Sequence, residues 1–339
     1  MSRALLLAAV ILSQQSAAAV AWAEAGADQC NLIDPSAQLK ETQQSREINL
    51  LTSPKVLLPI SYQLYSHHNQ KHINYIITED LPHWDLLRYQ IQQNAKTREL
   101  VCIDVGGNHG FYTFFMASAG CITQYFEIQN FFVSLVRRGI ALNNISDRAR
   151  VHHAGLSDTH SAMHIDGFDG MAFLTASTEP GGPSSAVTVP VYRALDCIDP
   201  TGSYSVVKID VEGFEIKVIE GMMELFKERR VGALLVEIGP TRWTRARVSI
   251  DAGVRALRKL TDFGYTSYVV IRDWRGCSNM PVVADSPRSV HLSYGAVLRL
   301  VERDDLNATV RYMNKVGYDC NFFFSRDGFV PTNISRFQS

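Results

Sequence analysis

The chain has 339 residues, of which 46% are hydrophobic and 10% aromatic, enough apolar surface to close a sizeable core and to exclude wholesale disorder. Lys and Arg number 33 against 34 Asp and Glu, a formal charge of -1. That balance argues against a protein devoted to binding nucleic-acid backbone, which needs a basic surplus or stripe.

Residues 1–23 stand apart. Arg3 is their only charge, Ala4 to Leu12 are apolar, and Ala21-Trp22-Ala23 forms a small-x-small site before Glu24. Those parts in that order are expected of a secretory signal peptide. The competing reading is an uncleaved membrane anchor, against which Ser13-Gln14-Gln15-Ser16 places four polar side chains in mid-segment. The expected location is the lumen of the secretory pathway or the exterior, with membrane attachment only if the leader is retained. No further run of about 18 apolar residues occurs, so no membrane-spanning body is expected.

Residues 24–83 read as an N-terminal wrap or linker, residues 84–326 as one folded domain, and residues 327–339 as a tail. Trp84, Leu86, Leu87, Tyr89 and Ile91 predict a helix leading into the core. Two kinds of segment then alternate. Residues 100–105, 122–127 and 150–155 read as strands, with helices over 111–119 and 131–142 between them. Residues 158–184 hold four glycines and two prolines and read as a loop excursion. Strands are expected again over 186–192, 206–210, 233–238 and 265–271, with helices over 214–226 and 248–260. Residues 272–297 read as an insertion, 298–314 as a helix and 320–325 as a last strand. Short apolar strands alternating with helices of this length indicate a parallel sheet covered on both faces.

None of the six cysteines forms a C-x-x-C pair, so neither a structural zinc nor a thioredoxin-type motif is expected. The even count permits up to three disulfides, although Cys102 and Cys320, in apolar runs, are expected as buried thiols. Three N-x-S/T sequons, at Asn144, Asn307 and Asn333, are compatible with export.

The sharpest local signal is Val101-Cys102-Ile103-Asp104-Val105-Gly106-Gly107-Asn108-His109-Gly110-Phe111, a strand ending in an acid and a glycine turn that opens a helix. Backbone N–H groups at such a turn can hold a carboxylate or phosphate. The dinucleotide fingerprint fails, because Asn108 and Phe111 stand where it needs glycine. Asp104 would also repel a pyrophosphate, and it suits a positively charged ligand. Glu127 ends the next strand, 23 residues after Asp104, the spacing at which a carboxylate grips ribose hydroxyls. Ser157-Asp158 follows the third strand, where an acid can reach the amine of an adenine. His109 reads as a solvent-facing residue at a helix start, and His152-His153 as packing residues.

In Val206-Val207-Lys208-Ile209-Asp210-Val211-Glu212-Gly213-Phe214-Glu215, Asp210 is expected at the carboxyl end of a strand, where ligands sit in open α/β sheets. Glu212 and Glu215 fall in the first turns of the following helix, where the macrodipole favours acids. Lys208 reads as half of an ion pair. Glu237 ends the next strand and faces the same rim. Asp210, Glu212 and Glu237 are the candidates for the base or for substrate orientation; such carboxylates could alternatively hold Mg2+, although no metal is assigned.

VCIDVGGNHGFYTFF, YFEIQNFFVSLVRRGIALNN, VHHAGLSD and VVKIDVEGFEIKVIEGM, in this order and spacing, resemble the FkbM family of S-adenosylmethionine-dependent methyltransferases. The resemblance covers roughly residues 98–240, and K-I-D-V-E-G-F-E is its most specific part. It implies a Rossmann-like class I methyltransferase, a three-layer α/β sandwich on a seven-stranded, mostly parallel sheet with a reversed final strand. It also implies S-adenosylmethionine as cofactor and O-methylation of a hydroxyl on a sugar, a glycan or a related metabolite. Carried over, Asp104, Gly106, Asn108 and Gly110 would hold the methionine part, Glu127 the ribose, Ser157 and Asp158 the adenine, and Asp210 would face the transferred methyl. One departure is Ile128, where the family commonly has proline. The alternative reading is a secretory-pathway binding or scaffold protein that kept the fold and lost turnover; a nicotinamide oxidoreductase is disfavoured by Asp104 and the failed glycine spacing.

Overall fold

Strands apolar on both faces must lie inside a sheet that is covered on both sides. In the computed structural model of the chain, the described residues are 30, 32–33, 46–49, 63–66, 70–95, 100–167, 172–175, 187–271, 277, 289–292 and 296–328. The leader expected over residues 1–23, nearly all of the tail and the sequon at Asn333 lie outside them. The strands are β1 (Leu32–Ile33), β2 (Arg46–Asn49), β3 (Gln63–Ser66), β4 (Val101–Val105), β5 (Ile122–Glu127), β6 (Ala149–His153), β7 (Gly155–Ser157), β8 (Ser161–Asp166), β9 (Phe173–Thr175), β10 (Thr188–Arg193), β11 (Tyr204–Ile209), β12 (Val231–Ile238), β13 (Thr266–Ile271), β14 (Ser289–His291), β15 (Val297–Leu300) and β16 (Cys320–Ser325). The main helices are α1 (Gln70–Asn94), α2 (Phe111–Ser118), α3 (Asn130–Leu142), α4 (Glu215–Gly221), α5 (Met223–Lys227), α6 (Ile250–Asp262) and α7 (Leu306–Val316).

The main sheet runs β1-β6-β5-β4-β11-β12-β16-β13-β15-β14. Its parallel pairs are β6–β5, β5–β4, β4–β11 and β11–β12, and β16 lies antiparallel between β12 and β13. The expected seven strands with one reversed form the centre of this sheet, and among the described residues the count is corrected to ten. β1 adds to one edge against β6, and β15 with β14 to the other, all antiparallel. The chain steps outward from β4 through β5 to β6 and then returns to β11 on the other side of β4. The loops after β4 and β11 therefore part in opposite directions and leave a crevice at the carboxyl edge.

Strand periodicity sorts the core into two layers. Ile103, Val105, Val207 and Ile209 pack with the α4, α5 and α6 side, whereas Cys102, Val206 and Leu235 pack with α1 and α2. The side chains of Trp84 on α1 and Phe115 on α2 stack at 5.0 Å.

Several expectations are corrected. The helix expected from about residue 84 begins at Gln70. The excursion at 158–184 contains β8 and β9, which join β10 and β7 in a four-stranded sheet of order β7-β10-β8-β9. The helix expected over 214–226 breaks into α4 and α5. The stretch 298–314 is divided: its start pairs with β13 as β15, and the helix begins only at Leu306. The insertion at 272–297 supplies β14 and the first residue of β15. Cys102 and Cys320 are not thiols; the disulfides are Cys30–Cys197, Cys102–Cys121 and Cys277–Cys320, with Cα separations of 5.5, 5.8 and 6.1 Å, within the usual span.

Candidate active site

Asp104 and Lys208 are register partners on β4 and β11, so their side chains emerge on the same face, beneath α2. Asp104 is 0% exposed and accepts a 2.7 Å hydrogen bond from the Thr113 hydroxyl on α2 through Oδ2. Its other oxygen is buried with no hydrogen-bond partner, and burial raises its pKa. Lys208 lies 3.3 Å from Asp210 and 4.8 Å from the centre of the Tyr112 ring, the ion pair expected from the sequence. Burial would lower its pKa, but Asp210, Asp104 and Asp80 together raise it. Tyr112 in turn shares a 3.0 Å hydrogen bond with His83 of α1.

The glycine turn is welded to its neighbours. Gly106 has φ +73°, and a Cβ there would sit 1.8 Å from the carbonyl oxygen of Asp210. The N–H groups of Gly106 and Gly107 both donate to the Phe126 carbonyl. Asn108 donates its N–H to Glu127 at 3.0 Å, its side chain accepts from the His109 N–H, and its carbonyl accepts from the Tyr125 hydroxyl. Gly110 starts α2 with φ +79° and no side-chain cap, leaving first-turn N–H groups available to an anion. His109 departs from expectation: it is buried, packed against Phe132 at 4.6 Å and Phe111 at 5.5 Å.

Glu127 closes β5 with one oxygen on Asn108 and the other accepting the Gln129 N–H at 2.8 Å. Burial pushes it up to about 6, while backbone N–H groups of Gln129, Asn108 and Ile128 pull in the other direction. The residue that replaces proline thus contributes an N–H that proline lacks. Asp158, after β7, accepts from Lys217 of α4 at 2.8 Å and from the Ser157 hydroxyl at 3.0 Å. Burial raises it, but those partners win and its pKa is lowered.

At the opposite lip, Asp210, Glu212 and Glu237 come together, with ligand atoms within 4.8 Å of one another. Glu212 is not in a helix as expected; α4 starts at Glu215, and Glu212 occupies the preceding loop with φ +53°. Burial lifts its carboxyl to about 7, with Asp210 adding to this and Arg242 and Arg245 opposing it. Glu237 is raised well above the usual range by burial and by Asp210, Asp319 and Glu212. Glu215 stands in the first turn of α4 as expected, and it is buried. It accepts from the Gly213 N–H at 2.7 Å and from the Trp243 ring at 3.2 Å.

The rim also holds residues the sequence reading passed over. Arg242, in the 3-10 turn Pro240–Ala246 after β12, bonds Glu212 and lies 2.6 Å from Asp319 and 3.9 Å from Glu237. Arg245 donates to the Glu212 carbonyl at 2.9 Å and covers the Phe173 ring of β9 at 3.7 Å. Asp319 precedes β16. A reversed strand begins at the edge where its parallel neighbours end, so this residue could have been placed on the rim once CNFFFS was read as reversed.

Residues 104–267 match the family model described as the methyltransferase FkbM domain. This segment is an FkbM-family methyltransferase domain. It takes in the glycine turn, Glu127, Ser157, Asp158, Asp210, Glu212 and Glu237, whereas Asp319 lies beyond it. No curated protein matches the chain. Among solved structures it is similar to an S-adenosylmethionine-dependent methyltransferase from Agrobacterium tumefaciens, at 11% identity and TM-score 0.42, covering 85% of this chain and 72% of that one. It is also similar to the O-methyltransferase TomG of Streptomyces achromogenes, at 13% identity and TM-score 0.34, covering 72% and 79%. An O-methyltransferase from Bacillus cereus is similar at 13% identity and TM-score 0.31, covering 65% and 80%.

Proposed function

We propose that this FkbM domain moves a methyl group from S-adenosylmethionine to a hydroxyl of a sugar, a glycan or a related metabolite, within the secretory pathway. The observation that carries the reading is the row of acids Asp104, Glu127, Asp158 and Asp210 at the carboxyl ends of β4, β5, β7 and β11. The cofactor supplies a methyl group on a cationic sulfur. Two features fit it: the unpaired buried oxygen of Asp104, an acceptor in want of a donor, and the uncapped start of α2, which suits a carboxylate.

On this reading Asp104, Gly106, Asn108 and Gly110 cradle the methionine part. Glu127 accepts from the ribose hydroxyls, and Ser157 with Asp158 holds the adenine. Methyl transfer is an in-line displacement, so positioning supplies much of the acceleration. The acceptor hydroxyl must lose its proton, and Glu212, raised to about 7, has an affinity suited to taking it near neutral pH. Asp210 and Glu237 orient the acceptor. Lys208, Arg242 and Arg245 already offset these acids, so the reading assigns no metal.

Calorimetry with S-adenosylmethionine tests cofactor binding, and isotopically labelled methyl donor incubated with a glycan pool, read by mass spectrometry, tests transfer. Absence of binding by the wild-type chain, or binding unaltered in Glu127→Ala, would sink the reading.

A further inference from the structure

The two sequons within the described residues sit in contrasting settings. Asn144-Ile145-Ser146 forms the turn between α3 and β6. Asn144 and Ser146 are exposed, while Ile145 between them is 7% exposed and pins the turn to the core. Asn144 takes a left-handed conformation with φ +53°, and its N–H bonds the Ala141 carbonyl at 3.2 Å, so the residue stands at the tip of a tight bend. In Asn307-Ala308-Thr309 the setting is helical. Asn307 lies in the first turn of α7 with its oxygen bound to Arg311 at 3.0 Å, and Thr309 is 0% exposed.

A second observation says which compartment the fold suits. The described residues contain no free cysteine, and each disulfide joins separate elements: Cys30 precedes β1 and reaches the short helix Ala194–Cys197 that follows β10, Cys102 and Cys121 tie β4 to the residue before β5, and Cys277 reaches β16. Such a set forms in oxidising compartments, among them the one in which sequons are modified.

We propose that Asn144, and not Asn307, carries an N-linked oligosaccharide. Asn144 Nδ2 forms a bond to the anomeric carbon of an oligosaccharide carried on a lipid diphosphate. The bond from that carbon to the diphosphate oxygen breaks, the lipid diphosphate departs with the electron pair, and Nδ2 releases one proton. A membrane-bound transferase catalyses the step, reading the Asn and the hydroxyl two residues on in an accessible turn. Asn144 and Ser146 present that pair, whereas α7 buries the hydroxyl of the other sequon. The location is also compatible with catalysis. The turn enters the amino end of β6, and the candidate active site occupies the carboxyl ends of the strands, so a glycan on Asn144 projects from the opposite edge.

The test expresses the full 339-residue chain, with its own leader, in cultured eukaryotic secretory cells. The purified protein is treated with an amidase that converts glycan-bearing Asn to Asp in 18O-labelled water, digested with trypsin and analysed by mass spectrometry. The peptide of residues 139–148 is expected to carry the label and that of residues 304–311 to lack it. Asn144→Gln and Ser146→Ala should each remove one glycan's mass from the intact protein, the second without altering the asparagine. An unlabelled 139–148 peptide, or a labelled 304–311 peptide, overturns the proposal, and neither outcome depends on methyl transfer.

Discussion

Arg242 binds the side chain of Glu212 across the lip of the candidate active site, and its second terminal nitrogen is 2.6 Å from Asp319. One guanidinium thus offsets the charge of two carboxylates, with Glu237 3.9 Å away. Removing the cation while keeping a polar side chain, as in Arg242→Gln, should push the Glu212 carboxyl above its present value of about 7. Less of it would then be ionised at neutral pH, and a shift of one unit lowers the ionised fraction about tenfold well below the pKa. At pH 7, where about half of the wild-type group is ionised, the same shift leaves about one-tenth ionised, so the expected result is a loss of kcat of about fivefold, recovered as the pH is raised. Arg242→Lys, which restores charge without the planar fork, should move the profile part of the way back. A profile of unchanged shape would reduce Arg242 to a structural strut.

Glu127 offers a second pH-dependent readout. Its two oxygens already accept backbone N–H groups of Asn108 and Gln129, and it must be a carboxylate to accept from two ribose hydroxyls as well. Because burial sets its pKa at about 6, affinity for S-adenosylmethionine should be constant well above pH 6 and weaken as the pH falls through that value. Glu127→Gln should weaken binding by about tenfold or more, in line with the ~1.5–3 kcal/mol of a hydrogen bond to a charged group, and should flatten the dependence between pH 5 and 8. Calorimetry at both pH values decides it; equal wild-type affinities at the two would refute the assignment.

The elements that build the crevice were legible because they are extreme. β4, β11 and β12 are almost wholly buried, so their apolar runs needed no reading of period, and the acids after them stood out. What escaped depends on partners far away in sequence. β1 is two residues long and exists because His152 and Val151 lie opposite it. β15 carries Leu298 and Leu300 at a spacing that also suits a helix, and pairing with Tyr268 and Val270 on β13 decides for strand. An apolar run around Cys102 suits a packing thiol equally well, and only strand register brings it to Cys121: its partner on β5 is Thr123, two residues beyond that cysteine. A side chain at a helix start usually faces solvent, but Phe132 from α3 covers His109.

The Cys30–Cys197 disulfide closes a sequence separation of 167 residues and fastens the residue before β1 to the short helix that follows β10. Cross-links of long loops stabilise mainly by restricting the unfolded chain, and loss of a native one typically costs about 2–5 kcal/mol. For a domain of this size each kcal/mol moves Tm by about 2–4 °C. The double variant Cys30→Ser/Cys197→Ser should therefore melt about 4–20 °C lower in scanning calorimetry. Cofactor affinity of the folded state should be retained, since the residues assigned to the cofactor lie on other elements. Unchanged Tm would mean that this bridge contributes no stability.

Glu215 supplies the sharpest linkage between protonation and stability. It accepts the Gly213 N–H and the Trp243 ring N–H inside the core, and burial lifts its pKa to about 8. In the unfolded chain a glutamate ionises near pH ~4.3. Between those values the folded state keeps a proton that the unfolded state has released, so raising the pH favours unfolding. The stability associated with this proton is full below the unfolded value and is lost as the pH rises to about 8. Glu215→Gln cannot ionise, and its amide nitrogen cannot accept the second N–H. The variant should be less stable than wild type by about 1 kcal/mol at pH 5, with the gap closing near pH ~6 and already reversed at pH 7 and at pH 9, since wild type loses about 1.4 kcal/mol per pH unit between the two pKa values. Urea unfolding of both proteins at the three pH values isolates the effect, because every other titrating group is common to the pair. A gap that stays constant across the series would show that Glu215 is already ionised in the core, sustained as a carboxylate by its two N–H donors.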